Sequence, residues 1–230
     1  MKKLLLVIPV SLLFSSITAQ TVEVLLKNIR EKLEKVNDYQ AKGKLKTNVT
    51  FIKAPVAAVK VYYKKPDKLK IINESGISFI PKGSVNINLN KFLSGTVAYE
   101  VVDAGKDAAT GWRVLKLLPA DENSDIVLST LYIDEKTALI RKAKNTTKDN
   151  GTYELDMDYG NYAAYGLPDK VIFTFNTKDY KLPKGVTLDY DDGTNKKPEE
   201  TLKNKKGKVE ITYSEYTINK GVDDAVFNQK

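Results

Sequence analysis

Residues 39–51 read YQAKGKLKTNVTF. The odd positions, Tyr39, Ala41, Gly43, Leu45, Thr47, Val49 and Phe51, are apolar or small. The even positions between them are Gln40, Lys42, Lys44, Lys46, Asn48 and Thr50. A period of two places alternate side chains on opposite faces of an extended chain, so this is a half-buried β-strand with one basic face. Thirteen residues at about 3.3 Å each would span roughly 43 Å. Lys53-Ala54-Pro55 interrupts the run, and a second alternating stretch, Val56 to Lys64, ends at Pro66. A β-hairpin is the simplest reading. The inward positions Ala41, Gly43, Thr47 and Ala57 are small. Such a face either receives a helix closely or encloses a cavity, and a cavity is the expectation.

The segment before this hairpin supplies a covering element. Val22, Leu25, Leu26, Ile29, Leu33 and Val36 recur at helical spacing, while Lys27, Arg30, Glu31, Lys32, Glu34 and Lys35 fill the opposite side. Thr21 is the expected N-cap, with Glu23 near the positive end of the helix dipole. After the hairpin, short apolar runs alternate with turn signals. Strands are expected at Leu69–Ile72, Ile77–Ile80, Val97–Val102, Trp112–Leu118, Ile126–Asp134, Ala138–Lys144, Tyr153–Tyr159, Val171–Phe175 and Lys208–Ile218. Asn86–Leu93 has no clean period and reads as a short helix or loop over the sheet. Residues 176–208 are polar and rich in Lys, Asp, Gly and Pro, and read as a projecting extension. One helix followed by many antiparallel strands gives a mainly β, α+β architecture. The expected form is a large curved antiparallel sheet, an incomplete barrel, with the N-terminal helix and short segments over its concave face.

Met1-Lys2-Lys3, an apolar run from Leu4 to Phe14 and a small residue at Ala19 are the parts of a secretory signal peptide. Residues 1–19 are therefore expected to be removed, leaving 20–230 as one domain in the periplasm. The apolar run is too short to cross a bilayer core of about 30 Å comfortably. The formal charge is +8; Lys2 and Lys3 lie in the leader, which leaves +6. Almost all of that excess is lysine, with Arg30, Arg113 and Arg141 the only arginines. Nucleic-acid readout relies on arginine forks, so no nucleic-acid partner is expected and the lysines read as a solvated surface. An anionic partner or membrane surface is the second reading of that charge.

The sequence contains no His and no Cys. That removes Ser-His-Asp and Cys-His catalysis, zinc sites of the usual ligands, disulfides and N-terminal cysteine lipidation. Glu154, Asp156 and Asp158 alternate opposite an apolar face and read as a solvated strand surface, not paired catalytic acids. Asp189-Tyr190-Asp191-Asp192-Gly193 lacks the spacing of a calcium loop. Neither enzyme activity, metal nor cofactor is expected.

The order of these features resembles the periplasmic lipoprotein-carrier superfamily of the LolA, LolB and RseB type. The residues that carry the resemblance begin with the helix running into Asp38-Tyr39-Gln40-Ala41 and the strand Val61-Tyr62-Tyr63-Lys64-Lys65-Pro66. They continue with Leu117-Leu118-Pro119, Tyr132-Ile133-Asp134 to Ile140-Arg141-Lys142, Asn150-Gly151-Thr152-Tyr153 and Leu167-Pro168-Asp169. The resemblance implies a concave apolar surface that holds acyl chains. Its expected lining is Tyr39, Ala41, Leu45, Val49, Phe51, Val59, Val61 and Tyr63, with Leu26, Ile29 and Leu33 from the helix. It implies lipoproteins or acyl lipids as ligands, inner- and outer-membrane transport proteins as partners, and a monomeric carrier. The family's functional basic residue before the strand-end proline falls on Lys65, where the best-known carriers have arginine. The alternative within the same fold is a lipid-binding sensor that regulates a membrane partner.

Overall fold

The computed structural model describes residues 21–48, 56–74, 98–149, 151–176 and 206–228. Their centre is a ten-stranded antiparallel sheet. The strands are β1 (Asp38–Asn48), β2 (Ala57–Lys64), β3 (Lys68–Asn73), β4 (Tyr99–Lys106), β5 (Arg113–Pro119), β6 (Ile126–Asp134), β7 (Leu139–Thr147), β8 (Thr152–Asp158), β9 (Lys170–Asn176) and β10 (Lys206–Ile218). Their spatial order is β3-β2-β1-β10-β9-β8-β7-β6-β5-β4. Among the described residues β3 and β4 are the two edges, and the described sheet does not close into a barrel. The expected mainly β architecture with an N-terminal helix is the one observed.

Helix α1 (Val22–Glu34) is capped by Thr21, whose Oγ1 accepts from the Val24 N–H at 3.4 Å. Leu25, Leu26 and Ile29 are buried and join one apolar cluster with Leu115 and Leu117 of β5, Leu131 and Ile133 of β6, and Val59 and Val61 of β2. The amphipathic stripe therefore meets the inner face of the sheet. Burying each of these side chains contributes about 1.5–3 kcal/mol, more than the intrinsic propensity of a thirteen-residue helix supplies. A short helix, α2 (Ala225–Asn228), lies beside β3 and is tied there by Asp224, which pairs with Lys64 at 3.1 Å and Lys68 at 2.9 Å.

The alternation in β1 holds from Ala41 to Asn48: Ala41, Gly43, Leu45 and Thr47 are buried and the lysines between them are exposed. Its hairpin partner is β2, in the register Tyr39 with Tyr63, Ala41 with Val61 and Gly43 with Val59. On its other side β1 pairs with β10, and there the register slips between Lys42 and Gly43. The slip explains Gly43. A Cβ at this position would sit 2.7 Å from the Thr212 carbonyl oxygen, so the bulge demands glycine by close backbone approach. The bulge, not a void, accounts for the smallness at this site.

Several elements run beyond their expected ends. Strand β4 continues to Lys106 through a break at Gly105, whose φ is +81°. Strand β7 reaches Thr147, and β10 begins at Lys206. The expected strand at Ile77–Ile80, the segment Asn86–Leu93, the leader, and most of the 176–208 extension lie outside the described residues, as do Val49 and Phe51.

Candidate functional site: the inner face of the sheet

Antiparallel order gives the sheet two ends. At one end lie the start of β1, the end of β2, the end of β10 and the start of β9; the C-terminus of α1 sits there too. At this latched end the inner face carries a cluster of tyrosines. Tyr39 stacks on Tyr63 at 5.3 Å and meets Tyr216 edge-on at 5.3 Å; Tyr216 also touches Tyr162 at 4.8 Å and Tyr213 at 5.1 Å. Tyr213 and Tyr216 both face inward although three residues apart, because Ser214 is the extra residue of the bulge. Tyr216 donates to the Pro168 carbonyl at 2.7 Å, and Tyr159 to the Ile140 carbonyl at 2.9 Å. Burial raises the hydroxyl pKa values of Tyr39, Tyr159, Tyr213 and Tyr216, so these rings stay neutral.

The same end ties α1 down by hydrogen bonds to its last carbonyls. Lys65, in the β2–β3 turn and preceding a cis proline, donates from Nζ to the Glu34 carbonyl at 2.9 Å and to Asn37 Oδ1 at 3.2 Å. A cation at a helix C-terminus also complements the dipole. Asn219, just after β10 with φ +56°, accepts at Oδ1 from the Asn37 N–H (2.7 Å) and donates from Nδ2 to the Lys35 carbonyl (2.7 Å). Lys32 donates to the Thr137 carbonyl in the β6–β7 turn. A narrow crevice opens between α1 and that turn, lined by Ile29, Leu33, Leu139, Ile140, Tyr159 and Gly166.

The expected acyl-binding residues fall on this inner face where they are described. Ala41, Leu45, Val59, Val61 and Tyr63 are buried on β1 and β2, Leu26 and Ile29 are buried on α1, and Tyr39 and Leu33 pack against them half-buried. The structure adds lining residues from the distant half of the chain: Leu155 and Met157 of β8, Phe173 and Phe175 of β9, and Val209 of β10. Phe175 fits because Gly207 opposite it has no side chain; a Cβ there would lie 2.5 Å from the ring.

The outer face is charge-paired. Lys42 bonds Glu215 at 2.9 Å, Lys142 bonds Glu154 at 2.8 Å and Lys170 bonds Asp158 at 3.1 Å. A hydrogen bond from Lys142 holds the Glu154 carboxyl below its usual range. The alternating acids of β8 are thus a solvated, neutralised strand surface. Among the described residues no group of three acidic side chains is placed to hold a metal ion.

No family model matches the sequence, and no curated protein is similar to it. The fold does have counterparts among solved structures. It is similar to a LolA superfamily protein from Nitrosomonas europaea, at 12% identity and TM-score 0.58, over 92% of this chain and 99% of that one. It is also similar to a putative outer membrane lipoprotein-sorting protein domain from Vibrio parahaemolyticus, at 12% identity and TM-score 0.52, over 88% and 95% of the two chains. A DUF1329 family protein from Desulfovibrio piger matches at 13% identity and TM-score 0.52, over 90% and 96%. The chain has a LolA-like fold. Identities this low establish the fold and leave function to the site.

Proposed function

We propose that this protein is a periplasmic carrier whose inner sheet face binds the acyl chains of lipoproteins or lipids and which sorts lipoproteins toward the outer membrane. One observation supports this most: a continuous apolar face, from β2 through β10 to β5, roofed by an amphipathic helix that packs on it through Leu25, Leu26 and Ile29 and is hydrogen-bonded at its C-terminal end. Away from that end the helix is held by apolar contacts, which the hydrocarbon of a chain-shaped ligand could replace. The reading is of a binding protein that acts as a monomer, with inner- and outer-membrane transport proteins as donor and acceptor. Lys65 is the residue through which handover would act, since its ammonium joins the β2–β3 turn to the end of the helix. Purification from the native cell envelope followed by native mass spectrometry tests the reading. Lipid or lipoprotein should co-purify. A stoichiometric membrane protein without lipid would replace the carrier by a sensor.

A further inference from the structure

Opposite the latched end, the inner face changes character. Thr47 of β1, Ser129 of β6 and Asn145 of β7 all point inward there, and all are at most 8% exposed. Their neighbours are apolar. Thr47 pairs with Val209, which pairs with Phe173. Ser129 and Asn145 are register partners flanked by Leu117 and Tyr153. The Ser129 hydroxyl donates to Asn145 Oδ1 at 2.6 Å. Among the described residues the amide nitrogen of Asn145 then meets no acceptor. Turning the amide over would instead leave its oxygen free to accept, so one atom of the amide is open to another molecule in either orientation. Thr47 Oγ1 is buried without a hydrogen-bond partner. Buried polar groups in folded proteins are nearly always paired, and an unpaired one is destabilising. Strand formation does not ask for them: valine at 47 would serve the strand at least as well.

We propose that Thr47 and the Ser129–Asn145 pair are two polar contact points within the acyl-binding face, each donating a hydrogen bond to the carbonyl oxygen of an acyl ester or amide linkage. This rests on the lipid-binding reading above and adds an orientation to it. The linkages of the ligand lie at this end of the sheet and its hydrocarbon runs toward the tyrosines. In strand order β1 and β7 stand four places apart, roughly 19 Å along the sheet, farther apart than the carbonyls of one glyceryl diester, so the points act separately and each meets a carbonyl of its own. Glycerophospholipids and the diacylglyceryl group of a lipoprotein share this chemistry.

The test compares ester with ether. The full chain is titrated with dioctanoyl phosphatidylcholine and its dioctyl ether analogue, and with a diacylglyceryl-cysteine peptide and its dialkyl ether analogue. At least one ester should bind about three- to tenfold more tightly than its ether, the range of one hydrogen bond. A preference in the peptide pair alone assigns the points to lipoproteins, and one in the phospholipid pair alone to free lipid. Thr47→Val and Asn145→Leu should each reduce that preference and leave ether binding unchanged, with Thr47→Val at least as stable as the parent. Equal ester and ether affinities in the parent would overturn the polar contacts and leave the acyl-binding reading intact. Failure of all four ligands to bind would overturn both. A Thr47→Val protein that unfolds would make that hydroxyl structural and overturn its assignment.

Discussion

The two ends of the inner face differ in what their polar groups do. At the latched end many polar side chains are spent on backbone, although Arg141 Nε and Asp169 Oδ1 are buried there without a hydrogen-bond partner. Lys65, Asn219 and Lys32 reach carbonyls at the end of α1 or in the turn beneath it, and Tyr216 and Tyr159 reach carbonyls of the underlying loops and strands. At the other end Thr47 and one atom of the Asn145 amide have no protein partner among the described residues. The first arrangement is that of a joint, and the second is the one on which the proposed carbonyl contacts rest. The connections 49–55, 75–97 and 177–205 all join strands at the second end.

The strongest way to break this contrast is to remove the apolar footing of the helix. Replacing Leu26 and Ile29 together by Asp places two carboxylates on the inner face. The expected loss is about 4 kcal/mol or more, since uncompensated buried charge and lost packing each cost several. Urea midpoints measure it, and binding of an apolar dye should rise as the face is uncovered. Dye binding unchanged in a folded variant would mean that α1 does not cover the ligand surface.

Alkaline pH probes the joint next. The four tyrosines at the latched end have hydroxyl pKa values raised by burial. A folded pKa above the unfolded value near 10 gives stability that is complete below pH 10 and is lost as pH rises beyond it. The share of the tyrosinate absorbance that comes from these four of the thirteen tyrosines should therefore appear together with unfolding, in one steep step above about pH 10. Ionisation of all thirteen tyrosines near pH 10 in the still-folded protein would show the cluster to be wet.

Smaller effects separate the individual ties. Asn219→Ala removes hydrogen bonds on both sides of the helix–strand junction and puts alanine at φ +56°. A loss of about 2 kcal/mol is expected, read from thermal or urea midpoints. Lys65→Met keeps the aliphatic stem and removes only the partly exposed cap on α1, so about 0.5–1 kcal/mol is expected. If lipid transfer between donor and acceptor vesicles falls severalfold while stability falls this little, Lys65 acts in handover. If both fall together, it is a tie like the others.

The chain order of elements was legible because their signals are local. Alternation of Leu45, Lys46 and Thr47 makes a strand face wherever the strand lies, and the stripe through Leu25, Leu26 and Ile29 makes a helix with one side to bury. Thr21 as N-cap and the turn between β6 and β7 are equally local. The resemblance to lipoprotein carriers was carried by this order, and the sheet has that fold. The inner face was legible only in its first half. Residues of β1, β2 and α1 were expected on the apolar face; Phe173, Phe175, Tyr213 and Tyr216 were not placed there, although their apolar character is plain. Tyr213 and Tyr216 also break the period of two, so alternation argued against a shared face.

What the sequence determined by itself is therefore the set of pieces and the inward side of most of them, together with the chemistry that the lack of His and Cys rules out. Only the tertiary structure decided that β1 pairs with β10, about 170 residues along the chain, as in Ala41 with Tyr216. Backbone hydrogen bonds carry no sequence label, so pairing over such a distance is chosen by the packing of the whole inner face. That pairing creates the bulge, and the bulge requires Gly43 and turns two tyrosines inward. It also carries Asn219 to the end of α1. Ser129 and Asn145, by contrast, meet across the local β6–β7 hairpin, and the tertiary structure decides only that this pair faces the shared apolar surface.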